Sequence, residues 1–576
     1  MSPRSHLPRL LSRIYFARPV FRPAAGFIWA IRSARPILYG NPLYPLFLIG
    51  RAPQNIIFTP PDPWPGNAER GNAILAGEFP FFGETVHGDE SLWSPHGLSP
   101  AWSEGLHGFS WINDLHVIGS DAARRRARAL VADWITEHQF WSPLAWRSDI
   151  TGDRIAAWLG QYDFFCASAE EDFRRLVFKS LARQARHLAR TAGWETRGAR
   201  RLRAIRGLIY AGICLPNGRR WLAKGLRLLT REIDRQILPD GSHFERCPRL
   251  QLSILKLFID IRACLAGAKI EAPPILQSAI DRMAPMLRFF RHGDGGLALF
   301  NDTMEGESWL ADMVLTRAEA KGKPLSSAPH GGFQRLNLNR CLVIMDSGPP
   351  NLLPGFEAPP EEHLHAGTLA FEMSIGKERL IVNCGAQATS GTLWQRALKS
   401  TAAHSTMTIE DTNSTEILAN GRLGQRRAVA TLHREEENGN ILIEASHNGY
   451  EELFGVIHQR RLFLASGGED LRGEDTLFPS GSGAHMQENI AFALRFHLHP
   501  TVSASLLHNR QTVLLRLPSG GGWRLRVQGG ALSISESIYL GRGGEVKRCE
   551  QVVVTGAIKG GTSGEVAIIK WAFNRV

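Results

Sequence analysis

The stretch EEHLHAGTLAFEMSIGKERLIVNCG, Glu361 to Gly385, decides the fold of the C-terminal half. Apolar and polar residues alternate behind two histidines spaced one residue apart, and a second alternation ends in an asparagine, so the segment reads as a β-hairpin. On a strand, residues i and i+2 share a face, so His363 and His365 reach one small object together, with Asn383 close behind. Two readings stay open at this point. The trio packs and hydrogen-bonds quietly, or it belongs to a metal or proton-transfer site.

Outward from this hairpin the pattern is β on both sides. From about residue 328 onward, short alternating runs such as FQRLNLNRCLVIMDSG, NGNILIEASHNGY, QRRLFLA, WRLRVQGG and EVAIIKWAF are separated by Gly, Asn, Ser and Pro, as in an antiparallel sheet system. The Pro-rich LPGFEAPPEEH, Leu353 to His363, reads as a loop that delivers the chain to the hairpin. Between about residues 100 and 290 the apolar period is helical instead. Phe173, Leu176, Val177, Leu181 and Leu188 fall on one helix face, as do Trp221, Leu222, Leu226, Leu229 and Ile233 of the next, and Leu252, Leu255, Phe258 and Ile261 mark another. Ser120 is a helix N-cap candidate, and Pro239 to Gly241 reads as a helix stop. The chain is therefore a helical domain followed by an all-β domain, with a cleft between them as the default ligand site.

Composition bounds the rest. At 576 residues, with 43% hydrophobic and 21% charged side chains, the chain is a globular protein of at least two large domains. Its formal charge of +12 is uneven, because residues 1–61 carry eight arginines and no Asp, Glu or Lys. Such a leader, interleaved with Leu, Ile, Phe and Trp, suits an anionic membrane surface or an acidic partner, or else serves as a solvated arm. Its apolar run Ala24 to Ile31 is shorter than the roughly 18 to 20 residues needed to cross a bilayer, and no signal-peptide pattern follows it. Seven cysteines scattered without a CxxC pair speak against a disulfide framework and for a reducing compartment. The leader lacks folded base-reading motifs, so no nucleic-acid partner is expected. P-loop, GxSxG and dinucleotide glycine patterns are absent from the sequence.

The order of motifs resembles one known family. HLHAGTLAFE, the run ending VNCG, and AAHSTMTI are similar to the β-domain signature of the heparinase II/III-like polysaccharide lyases. LHGFSWINDL, WRSDITGDRIAAWL, GWETRGAR and DGSHFERCP resemble its helical segments in matching order. The resemblance covers roughly residues 80 to 575. It implies an incomplete (α/α) toroid followed by an antiparallel β-sandwich, which divides the chain into a basic arm (1–61), a toroid (62–327) and a sandwich (328–576). It implies β-elimination on an acidic, uronate-containing glycan. It also implies a zinc site at His365, His404 and Asn383, an envelope or periplasmic location, and His363 as the catalytic histidine.

Several usual positions are replaced. Ala199-Arg200 stands where the family has Asn-His, Leu250-Gln251 where it has Tyr-His, Ala366-Gly367 where it has an Asp, and Asn383 where a carboxylate ligand is usual. An amide oxygen is neutral and weakens a zinc site. Elimination needs a neutralised carboxylate, a base and an acid for the leaving group. The residues left for these tasks are His363, Arg246, Arg200 and His243, with Arg154, Glu245 and Trp194 as substrate contacts. The alternative is a catalytically degenerate glycan-binding or scaffolding protein of the cell envelope, on the cytoplasmic face of the inner membrane if the absent signal peptide and the unpaired cysteines decide. Asp302 and Glu305 suggest a two-carboxylate glycosidase, but a spacing of three puts both on one side, whereas such carboxylates flank the scissile bond.

Overall fold

The computed structural model describes residues 35–88, 92–94, 97–348, 363–386, 392–424, 430–480, 489–542, 545–558 and 566–576. Most of the basic arm and most of the Pro-rich loop before His363 lie outside these. Residues 1–47 form a unit of their own. Its described part holds two short helices, Arg35–Tyr39 and Tyr44–Phe47, joined by a ring contact of 4.7 Å between Tyr39 and Tyr44. Ile37 and Phe47 are 76% and 66% exposed there.

The remaining chain begins with helix Ala68–Leu75 and a small hairpin, Glu78–Phe81 with Glu84–His87. The hairpin precedes the stretch whose apolar period reads as helical. Phe82 and Gly83 turn it with positive φ (53° and 82°), the backbone that tight hairpins require. Helices then follow in series, among them Pro100–Gly108, Asp121–Glu137, Ser148–Gly160, Glu171–Thr191, Gly198–Cys214, Arg219–Gln236, Pro248–Gly267, Pro274–Phe289 and Ser308–Ala318. The apolar stripes named above face inward, with Val177, Leu181, Leu188, Leu229 and Ile233 buried and the residues nearer the helix starts half-buried, and Ser120 caps Asp121–Glu137 by accepting from the Ala123 N–H. At the stop after Gln236, Gly241 (φ +85°) lies against the Arg282 carbonyl, where a Cβ has no room.

Two antiparallel sheets follow, each built of hairpin-paired runs joined by long crossovers. The hairpin Phe371–Ile375 with Glu378–Val382 sits mid-sheet, between Cys341–Asp346 and Ile490–Leu498. The second sheet runs from Ser503–Leu506 to Ala430–Glu437, with Asp470–Pro479 and Ala567–Arg575 near its centre. Their inner faces share one apolar core in which Phe371 of one sheet stacks on Trp571 of the other at 5.5 Å. A helical domain followed by an all-β domain is the order that the sequence pattern implies, and an incomplete toroid followed by a β-sandwich is the fold that the family resemblance implies.

One expectation needs correction. His363 and His365 do not head a strand, because the strand begins at Phe371 and residues 363–370 are irregular. Their backbone is held by side chains and loops in place of a ladder. The His365 N–H donates to Asn301 Oδ1 (3.0 Å), the Ala366 N–H to the Lys399 carbonyl (2.9 Å), and the Ala366 carbonyl accepts from Thr401 Oγ1 (2.7 Å).

Candidate functional site

A cavity of about 780 Å³ opens between the toroid and the sandwich. Its toroid wall is built where helices Ser148–Gly160 and Gly198–Cys214 meet almost backbone to backbone. A Cβ on Gly207 would stand 2.3 Å from the Gly152 Cα, so only glycine permits the approach. The approach sets Arg200, Arg203 and Arg206, three apart on one helix face, beside Asp149 and Asp153, four apart on the other.

The result is a continuous ladder of alternating charge. Glu104 accepts from Arg147 (2.6 Å) and Arg200 (3.2 Å), and Asp149 from Arg147 (2.7 Å), with Arg203 at 3.4 Å. Asp153 joins Arg203 to Arg206 (2.7 Å), and Arg206 reaches Asp260 (3.2 Å), which also accepts from the Trp64 indole N–H and faces Lys256 at 3.8 Å. Burial alone would push the Asp149 carboxyl up, but Arg203 and Arg147 outweigh it and hold the group at about 2. Burial likewise favours loss of charge by Arg203 and Arg206, but the carboxylates around them, Asp153 first, overcome it, so both are raised. Sequence reading singled out Arg200 alone in this ladder. The i, i+3, i+6 arginine spacing and the i, i+4 spacing of Asp149 and Asp153 were the available signals.

On the opposite wall stand His363 and His365. The Asp302 carboxylate bridges His363 Nδ1 (2.8 Å) and Arg249 (2.9 Å), and the buried Glu245 lies 3.8 Å from His363 Nε2. Asp302 is thereby held well below the usual carboxylate range, because His363 and Arg249 overcome the effect of burial. A carboxylate on Nδ1 fixes the orientation of the imidazole, whose Nε2 is turned toward Glu245. Asp302 is thus the partner of His363, a relation its distance in sequence concealed.

Other expected site residues are elsewhere. Arg246 does not line the cavity. It is buried, donates to the Gly331 carbonyl (2.8 Å), pairs with Asp346 and lies 4.8 Å from the Phe333 ring centre, so it pins a toroid loop to the sandwich. His243 is also off the wall. Its Nε2 meets Gln236 (3.1 Å), its N–H donates to Gln251 (2.8 Å), and burial lowers its pKa to about 3. Arg154 is enclosed within the toroid, donating to Gln184 (2.8 Å) and the His107 carbonyl (2.9 Å) above the Trp134 ring. Glu245 accepts from the Ala199 N–H (2.8 Å), so it caps the helix bearing Arg200 and is sealed behind His363, where it touches no ligand. Trp194 lies away from the cavity and donates to the Arg190 carbonyl at 2.8 Å. Of the four catalytic candidates, His363 and Arg200 reach the cavity.

The zinc expectation was tested on the donors. A Cβ at Gly367 would stand 2.7 Å from the His404 ring, so the glycine after HLHA lets His404 come up against His365. His404 Nδ1 donates to the Ser400 carbonyl (2.7 Å), which leaves Nε2 to accept from His365 Nδ1 at 3.2 Å. Asn383 Oδ1 accepts from the Ser405 N–H (3.0 Å), and its amide nitrogen turns to Glu372 (3.3 Å). Burial pushes His404 to about 4 and His365 well below 6.5, so both are neutral donors. Among the described residues, no group of three His, Cys, Asp or Glu side chains converges on one point. Two imidazoles bonded to each other and an amide already engaged do not fit zinc, which takes four ligands of His, Cys or carboxylate type.

With fold and cavity in place, comparison with known proteins assigns the class. Family models for the heparinase II/III N-terminus and the heparinase II/III-like C-terminal domain match residues 94–319 and 320–571, and the chain belongs to that family. It is 30% identical over 525 residues, 88% of each chain, to FtsZ-localized protein C of Caulobacter vibrioides. It is 22% identical over 230 residues, 37% of this chain and 34% of the relative, to heparin-sulfate lyase of Pedobacter heparinus. Among solved structures, heparinase III superposes with a TM-score of 0.70 at 14% identity, covering 96% of this chain and 92% of that one. The heparan sulfate lyase HepC of Pedobacter heparinus gives 0.59 at 16% identity, covering 96% and 88%. At such identities the likeness concerns the fold. No helix of the described residues is long and apolar enough to cross a membrane.

Proposed function

We propose that this chain is a heparinase-fold protein that holds a saccharide in the inter-lobe cavity without cleaving it by β-elimination, and that it works where FtsZ is. The observation that carries the reading is the engagement of Arg200, the cation best placed to clamp a substrate carboxylate, by Glu104 and Asp149. Elimination needs that clamp, together with an acid for the leaving oxygen. The tyrosine on the wall, Tyr210, is a poor acid: burial and Asp260 raise its pKa well above 10, and its hydroxyl points at the Asp260 carbonyl (3.4 Å). His363 with Asp302 remains as a single proton-transfer group without these two partners.

Prolonged incubation with uronate polymers, followed by ultraviolet absorbance of unsaturated ends, is expected to stay flat while calorimetry records saccharide binding. A rise in absorbance that disappears in His363→Ala would overturn the reading. The address beside FtsZ is supported by the 30% identity to a protein of that printed localisation over 88% of both chains. A fluorescent fusion that stays diffuse where FtsZ is localised would remove it. The arginine-rich leader adds contact with an anionic membrane surface, supported by its lack of acidic residues and by the exposed Ile37, Leu43, Leu46 and Phe47.

A further inference from the structure

The family resemblance points to an acidic glycan, but the charge of the cavity does not. Seven Lys and Arg side chains and five carboxylates line it among the described residues. Behind the wall stand Asp149, 3.4 Å from Arg203, Glu245, 3.8 Å from His363, and Arg147, 2.6 Å from Glu104, so eight cations meet seven carboxylates. Arg200, Arg203, Arg206 and Arg249 each face a carboxylate of the protein. A densely anionic chain entering this space meets cations already matched almost one for one, and each sulfate or uronate that reached a guanidinium would have to compete with Glu104, Asp153 or Asp302 for it.

Hydroxyl groups meet the opposite situation. Each is one donor and two acceptors, so it bridges a guanidinium N–H and a neighbouring carboxylate oxygen without breaking the pair. The ladder repeats that donor and acceptor alternation along the toroid wall, and Trp64, Phe82 and Tyr210 supply apolar surface for the carbon face of a sugar ring.

We propose that the cavity selects uncharged, vicinally hydroxylated saccharide units through the Glu104–Arg203–Asp153–Arg206 ladder and discriminates against polyanionic chains. This rests on the reading above that the cavity holds a saccharide. The test is calorimetry on the full chain with neutral N-acetylglucosamine or glucose oligomers against oligouronates and heparin fragments of equal length, at about 50 and about 300 mM salt. Neutral oligomers are expected to bind about tenfold more tightly than the anionic ones, with affinity changed less than about twofold by salt. Glu104→Gln, which removes one rung, is expected to raise oligouronate affinity by about tenfold and make it salt-dependent; Asp153→Asn, which removes another, serves if the first variant does not fold. Tighter binding of the anionic oligomers by the unaltered chain, or a preference unmoved in the folded variants, would overturn the inference and leave saccharide binding standing. Absence of binding by every saccharide would overturn the reading beneath it as well.

Discussion

Acid should unfold this protein well above the pH at which its carboxylates titrate. His107, His187, His243 and His497 are pushed down to about 3, and His138 and His404 to about 4, in each case chiefly by burial. Each is neutral in the fold, while an unfolded chain binds a proton there near pH 6.5. A folded pKa below the unfolded one means stability that is complete above about pH 6.5 and lost as pH falls towards the folded values. At pH 5 the loss is roughly 2 kcal/mol for each group, and about 12 kcal/mol for the six together, comparable to the whole stability of a typical domain. Urea unfolding followed by circular dichroism at steps from about pH 7.5 to about 5 should show a slope of roughly five protons near pH 5.5. Depressed carboxylates act in a separate window. Asp149 and Asp475, both held at about 2, withdraw their support only as pH falls from about 4 towards 2. His187 Nε2 donates to the Trp146 carbonyl at 2.9 Å, so His187→Gln keeps a donor there and should shrink the slope by about one proton. An unfolding midpoint unchanged between pH 7.5 and 5 would refute the argument that these imidazoles are enclosed and neutral.

Arg246→Ala strands the buried Asp346 carboxylate and should cost about 3–5 kcal/mol in chemical unfolding, while saccharide affinity of the folded fraction is unchanged. Purified protein should carry less than about a tenth of an equivalent of zinc by elemental analysis, and His365→Ala should not alter that figure. Sedimentation with vesicles rich in phosphatidylserine should retain the protein at low salt, release it as salt rises, and fail when Ile37 and Phe47 are both changed to Asp.

Local pattern carried the architecture. The stripes of Phe173 to Leu188 and Trp221 to Ile233 needed only a period of 3.6 to be placed, and the Ser120 cap needed only its hydroxyl. The site was less legible because its contacts are long-range. Arg246 meets Asp346 across 100 residues and Asp302 meets His363 across 61, and no periodicity connects such pairs. The HLH motif was read as a strand head because alternation is what a strand shows. Its actual conformation depends on Asn301, which accepts from His365 and donates to the Arg246 carbonyl (2.7 Å), and on Gly367 beneath His404. His365 of that motif meets His404 at 3.2 Å, while His363 meets Asp302.

The row of opposite charges on the toroid wall also constrains how this surface can drift over generations. Replacing one arginine there takes a partner from two acids, and replacing one acid takes a partner from two cations, so single changes are penalised more than matched swaps. Relatives of this chain should therefore vary at residues 104, 149, 153, 200, 203 and 206 in couples, and a lineage regaining a taste for acidic polymers would announce itself by losing rungs of one sign only.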